Sequence, residues 1–323
     1  MTEQTELTGR ADGAERSDKE GIGSPRKTKE LLQKYGFSFK KSLGQNFLID
    51  GNILRNIAAA AQLGPKKGVL EIGPGIGALT ERLAQHSGRV VAVEIDQRLL
   101  PMLQDSLGGY DNVTIVHGDV LKVDLNALFR DHFAGMDSVS VVANLPYYIT
   151  TPIVMKLLEE RLPLESIVVM VQKEVADRFA AAPGTKDYGS LSVAVQYYAV
   201  PEVVMKVPHS VFIPQPNVDS AVAKLTMRAG PPVDVADEKL FFDVVQAAFA
   251  QRRKTLLNNL QQRFFAVAGG KDECRLFLES CGVAPERRGE TLSLAEFARI
   301  ANRLAERRPE NEPEEKPQEN SEE

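Results

Sequence analysis

From residue 68 to residue 171 the chain repeats one pattern: a short continuous apolar run, a polar break, then apolar positions three and four apart. The short runs fall at 68–72, 89–93, 113–117, 138–143 and 166–171, and read as strands buried on both faces. Helical spacing follows at 78–85, 99–107, 151–160 and 174–179, with a linking segment at 125–132 before the fourth strand. Alternation in 191–199 and 218–226 predicts two more strands, antiparallel additions to a largely parallel sheet. Between the fifth run and these, 181–190 carries Pro183, Gly184 and Gly189 and reads as a mobile loop. Upstream, Asp50 is placed to cap a helix over 52–62.

After Met227 the period changes. Residues 229–237 form a Pro/Ala/Asp linker, and 238–308 show only helical spacing, at 240–249, 255–265, 271–280 and 293–304. The expected organisation is an α/β domain over 35–228, that linker, and a small C-terminal helical domain over 238–308. Residues 1–34, with seven acidic and seven basic side chains, and 309–323, with seven glutamates and one lysine, read as disordered tails.

Charge changes this picture in one respect. The net −5 is set by the last fifteen residues, without which the chain carries about +1. Residues 251–308 hold twelve Arg/Lys against seven Asp/Glu, so a basic face for nucleic acid is permitted. Cys274 and Cys281 fit neither metal-ligand spacing nor a disulfide framework, and the four histidines are scattered. No metal is expected, and a reducing compartment is the simple reading. With no membrane-length apolar run and no signal-peptide core, the protein is expected to be soluble and cytoplasmic.

The chemistry gathers where the strands end, which is where open α/β sheets bind ligands. The first strand runs into Gly73-Pro74-Gly75-Ile76-Gly77, a turn that suits close backbone approach to a nucleotide. A dinucleotide site calls for G-x-G-x-x-G, and here the last glycine comes one position early. Glu94 ends the second strand, about twenty residues on, placed to accept from ribose hydroxyls; otherwise it is a solvated strand-end glutamate. Asp119 ends the third strand and could accept from an adenine amine, or simply cap a helix. Together they turn the reading from a dinucleotide toward S-adenosylmethionine, which has no phosphate.

Asn144-Leu145-Pro146-Tyr147 ends the fourth strand. An exocyclic base amine is a poor nucleophile because its lone pair is delocalised into the ring. The Asn144 side-chain oxygen and a backbone carbonyl, that of Leu145, could accept its two N–H groups and turn the lone pair toward a methyl donor. Pro146 stiffens the turn and offers no competing N–H. Tyr147 could stack on the base; the competing reading is a tight turn with Tyr147 in the core. Phe212, in a proline-braced loop, could cover the other base face, although spacing alone makes it core. Lys40 and Lys41, and Arg252-Arg253-Lys254, are either solvated or the phosphate contacts of an RNA partner.

Taken in order, Gln45-Asn46-Phe47-Leu48, Glu71 to Thr80, Glu94-Ile95-Asp96, Gly118-Asp119, Asn144 to Tyr147 and the run from Phe212 to Val222 resemble the ribosomal RNA adenine dimethyltransferase family over about 35–304. The resemblance implies a Rossmann-like class I S-adenosylmethionine-dependent methyltransferase. It implies cofactor contacts at Asn46, Leu48, Gly73, Glu94, Asp119 and Asn144, with Gly75 in the same turn. It places Asn144, Leu145, Pro146 and Tyr147 around the reactive amine and makes Phe212 a second stacking aromatic. The implied reaction puts two methyls on N6 of each of two adjacent adenosines in the 3′-terminal hairpin loop of small-subunit (16S) rRNA. The implied partner is an immature small ribosomal subunit, with the enzyme a monomer. The run 249–258, FAQRRKTLLN, looks like the small-subunit branch. The alternatives are an erythromycin-resistance type methyltransferase of large-subunit rRNA, a DNA methyltransferase, or a ribosome-assembly RNA-binding factor without catalysis. Intact Glu94, Asp119 and Asn144–Tyr147 argue against the last.

Overall fold

The computed structural model describes residues 21–40, 43–267 and 269–307. The first twenty residues of the expected 1–34 tail, the whole expected 309–323 tail, and Lys41 lie outside these residues. The described residues divide into two units, those within 21–176 and 200–227, and those within 177–199 and 228–307.

The first unit is built on a seven-stranded sheet. In chain order its elements begin with α1 (Pro25–Lys34), β1 (Phe47–Leu48), α2 (Gly51–Ala60), β2 (Lys67–Ile72), α3 (Ala78–His86) and β3 (Arg89–Glu94). They continue with α4 (Leu100–Leu107), β4 (Val113–His117), α5 (Leu125–His132), β5 (Ser138–Asn144), α6 (Thr150–Glu159) and β6 (Leu164–Gln172). The unit closes with β7 (Ala199–Val207), β8 (Phe212–Ile213) and β9 (Ser220–Met227). The sheet order is β4-β3-β2-β5-β6-β9-β7. Strands β2 to β6 pair in parallel and β9 is antiparallel to β6. The order reverses between β2 and β5, so the crevice of an α/β sheet falls beyond their C-terminal ends. Asp50 does cap α2, its carboxylate accepting from the N–H groups of Asn52 and Ile53.

Residues 25–34 depart from the tail expectation. Ser24 caps α1 by accepting from Lys27 N, and Pro25 occupies the first turn, where its missing N–H costs nothing. Thr28 is buried, its hydroxyl donating to the Ile22 carbonyl, while Lys34 pairs with Asp105 of α4 at 2.6 Å. An even charge balance over the first 34 residues hid this helix start.

The second unit holds the end of α7 (Lys173–Phe179), α8 (Ser190–Tyr198), α9 (Glu238–Phe249), α10 (Leu256–Phe264), α11 (Gly270–Ser280) and α12 (Leu294–Ala305). Residues 177–199 group with it rather than with the α/β sheet. The strand expected over 191–199 is a helix. Ser192 to Val195 are all buried, so their alternating-looking run has no polar face to reveal its period. Tyr197 stacks on Phe241 with ring centroids 5.0 Å apart, which makes α8 part of the helical core. The segment expected to be mobile, 181–190, is tied down: Gly184 N donates to Glu290 O at 2.7 Å, and Tyr188 is buried.

Candidate functional site

Beyond β2 and β5 lies a cleft of roughly 910 Å³ of empty space, part of it open solvent, lined by Gln45–Leu48, Glu71, Gly73–Ile76, Glu94 and Asn144–Ile149. The glycine turn shapes its floor. Gly75 has φ +61°, and a Cβ there would stand 3.0 Å from the Phe47 ring, so the turn must be bare for Phe47 to close on it. Gly77, at φ +88°, starts α3.

Two carboxylates are buried at this floor. Glu94, 4% exposed, accepts from Gly75 N at 3.3 Å and from Asp96 N at 2.8 Å. Burial pushes its carboxyl up, and those two N–H groups pull against the rise. Glu71 is 1% exposed and its Oε2 has no hydrogen-bond partner. Burial drives Glu71 up to about 8 against the pull of the neighbouring Thr80 hydroxyl, and the Glu94 charge adds to the rise. Two adjacent buried acids with spare acceptor capacity suit a ligand that brings hydroxyl donors and positive charge.

At the end of β5, Asn144 Nδ2 donates to the Asn46 carbonyl at 3.1 Å. A carbonyl only accepts, so this bond fixes which end of the amide is which and leaves Asn144 Oδ1 as an acceptor. Leu145 N donates to Met170 O, while the Pro146 carbonyl accepts from both Ile149 N and the Thr150 hydroxyl. With Pro146 O doubly engaged, the Leu145 carbonyl is the turn's better candidate to meet an external donor. Tyr147 is half-buried, its hydroxyl 2.7 Å from Ser220 Oγ, which holds the ring in place.

The other expected site residues fall in different places. Asn46, Leu48, Gly73 and Gly75 line the cleft. Asp119 stands outside its lining and accepts from Leu121 N at 3.0 Å; its charge reaches Tyr148, whose phenol is pushed up by burial and then by Asp119. Phe212 is not in the cleft. It is 1% exposed, pairs with Leu48 across the antiparallel β1–β8 contact and belongs to the α/β core cluster. Tyr148 lines the cleft and is 55% exposed. Neither Tyr148 nor the orphaned oxygen of Glu71 was marked by sequence, because an aromatic in a turn and a glutamate in a strand carry no signal of which way they face. Lys40 is exposed, and its N–H donates to Gln45 Oε1.

In the second unit, Arg252, Arg253 and Lys254 are exposed in the turn between α9 and α10. Buried Asn259 braces that turn by donating to the carbonyls of Ala248 and Gln251. Arg252 donates to Lys186 O at 2.7 Å, and Arg287 is engaged by Glu296 and Thr291. Among the described residues no cluster of His, Cys, Asp or Glu could hold a metal ion, and no helix is long and apolar enough to cross a membrane.

A sheet ordered 3-2-1-4-5-7-6 when its strands are counted in sequence, with a glycine turn and a buried strand-end carboxylate at its switch point, defines a class I methyltransferase. Relatives narrow the class. The chain belongs to the ribosomal RNA adenine dimethylase family, whose model matches residues 36–306. It is 62% identical over 281 residues to the ribosomal RNA small subunit methyltransferase A of Geobacillus thermodenitrificans, covering 87% of this chain and 96% of that protein. Among solved structures, a dimethyladenosine transferase from Plasmodium falciparum is similar, with TM-score 0.65, 26% identity, and coverage of 80% of this chain and 97% of the other. The 23S rRNA methyltransferase ErmE follows at TM-score 0.59 and 28% identity, over 80% of this chain and 99% of that one.

Proposed function

We propose that the protein methylates N6 of two adjacent adenosines in the 3′-terminal hairpin loop of small-subunit (16S) rRNA, to the dimethyl level, in the cytoplasm and late in subunit assembly. The small-subunit reading is favoured over the large-subunit one by the 62% identity to a small-subunit relative against 28% to ErmE.

The residues fit S-adenosylmethionine. Glu94 offers a buried carboxylate to a ribose diol, and the Glu71–Glu94 pair offers compensation to a cationic ligand. When bound, that cofactor supplies an electrophilic methyl group. The protein's part is to present the amine. The single observation that supports this is the Asn144–Asn46 bond, which engages the donor end of the amide and leaves its oxygen available to accept from an incoming amine. Asn144 Oδ1 and the Leu145 carbonyl take the two N–H groups and localise the lone pair. After the first methyl, one N–H remains for one of these acceptors. No side chain is needed as a dedicated base, since the proton can pass to solvent. In this reading Tyr147, tethered through Ser220, is the ring that stacks on a base turned out of its helix.

The test is single-turnover methyl transfer by Asn144→Ala beside an independent measurement of cofactor affinity. Transfer should fall by about 10²–10³ while affinity changes little. Transfer at the wild-type rate would overturn the amine-holding role.

A further inference from the structure

Arg98 does not line the cleft, yet it is bonded both to the strand-end loop after Glu94 and to residues 37–38, upstream of the 43–48 stretch that lines the cleft. Its Nε and a terminal nitrogen both donate to the Asp96 carboxylate, at 2.9 and 2.5 Å. Its other terminal nitrogen donates to Ser38 O at 3.0 Å, and the guanidinium lies 4.8 Å from the centre of the Phe37 ring. Asp96, 4% exposed, also accepts from Gln45 Nε2 at 2.8 Å, while its own N–H holds Glu94 Oε1. Phe37 in turn packs on Phe39 and Phe47, and Phe47 rests on bare Gly75. A polar route (Glu94, Asp96, Gln45) and an aromatic route (Phe37, Phe47, Gly75) thus link the floor to this stretch. Arg98 belongs to both.

We propose that Arg98 is a positioning residue for the cofactor: it ties residues 37–38 to the cleft floor beside the 43–48 stretch that lines the cleft, and so sets how long the ligand stays without touching it. The inference rests on reading the cleft as an S-adenosylmethionine site. The chemistry explains why an arginine serves. Only a planar guanidinium both chelates a carboxylate and stacks on a ring; a lysine keeps the charge but not the geometry.

The experiment uses the full chain with S-adenosylhomocysteine as probe, measuring affinity, dissociation rate and amide hydrogen exchange for wild type, Arg98→Ala, Arg98→Lys and Gln45→Ala. Arg98→Lys leaves a cation beside buried Asp96, so it carries the test if the alanine variant folds poorly. Both Arg98 variants should bind on the order of tenfold more weakly, with the loss in dissociation rate. Exchange should rise in 37–40 and 43–48 and stay unchanged in β2 and β3. Arg98→Ala and Gln45→Ala combined should lose less than the product of their separate effects, because both act through Asp96. Binding equal to wild type in both Arg98 variants overturns the positioning role. So does exchange raised evenly through the sheet, the mark of a merely structural role. A wild-type chain that binds no probe overturns the cofactor reading itself.

Discussion

Glu71 is a carboxyl group with nowhere to put its charge. Buried beside Glu94 with one oxygen unpartnered, it is held up to about 8 against an ordinary value of 4.5. Between those values the folded ligand-free chain keeps a proton that the unfolded chain has released, so stability falls as pH rises through that window. Fully ionised, the group opposes folding by at most about 5 kcal/mol. Denaturant melts of ligand-free protein at about pH 5 and about pH 9 should therefore show a loss in wild type that Glu71→Gln removes; equal losses in both would contradict it. Glu94→Ala should weaken S-adenosylmethionine binding by about 10- to 100-fold through the missing charge-assisted bonds, as calorimetry would read, and an unchanged affinity would reject the ribose contact. At this scale the sequence marked Glu94 and Asn144, strand-end residues that line the cleft, and also Asp119, which does not. It was blind to direction. Phe212 is buried beside Leu48, Tyr148 lines the cleft, and Asn46 supplies a backbone carbonyl to Asn144.

The elements of the sheet were legible because parallel strands buried on both faces leave continuous apolar runs. Where that logic misled, burial was again the reason. α8 has few exposed positions, so its period was erased, and contact with Phe241 rather than local propensity makes it helical. α1 was hidden for the opposite reason: its charged residues dominate the count, while the Ser24-Pro25 start is a two-residue signal. The basic turn between α9 and α10 depends on one buried amide. Asn259→Ala would strand the carbonyls of Ala248 and Gln251 and should cost about 1–3 kcal/mol, read as a lowered denaturation midpoint at unchanged m-value. A midpoint matching wild type would mean that the turn holds itself.

At the scale of the whole molecule, charge is segregated by position in the chain, which the net value conceals. The α/β unit carries the cleft, and the helical unit carries the exposed Arg253 and Lys254. Because Arg252 also donates to Lys186 O, the pair Arg253 and Lys254 gives the cleaner test of phosphate binding. Replacing both with alanine should weaken binding to small subunits and lower the slope of log affinity against log salt by about 0.7 for each phosphate left without its cation. An unchanged slope would make the turn ordinary surface. The central claim is the identity of the methylated base. Purified protein should be incubated with labelled S-adenosylmethionine and unmethylated small subunits, large subunits or free rRNA, and the modified nucleosides mapped. The account predicts N6-dimethyladenosine at two adjacent positions in the 3′-terminal hairpin loop of small-subunit rRNA; label confined to large-subunit rRNA, or no label in any RNA, would contradict it.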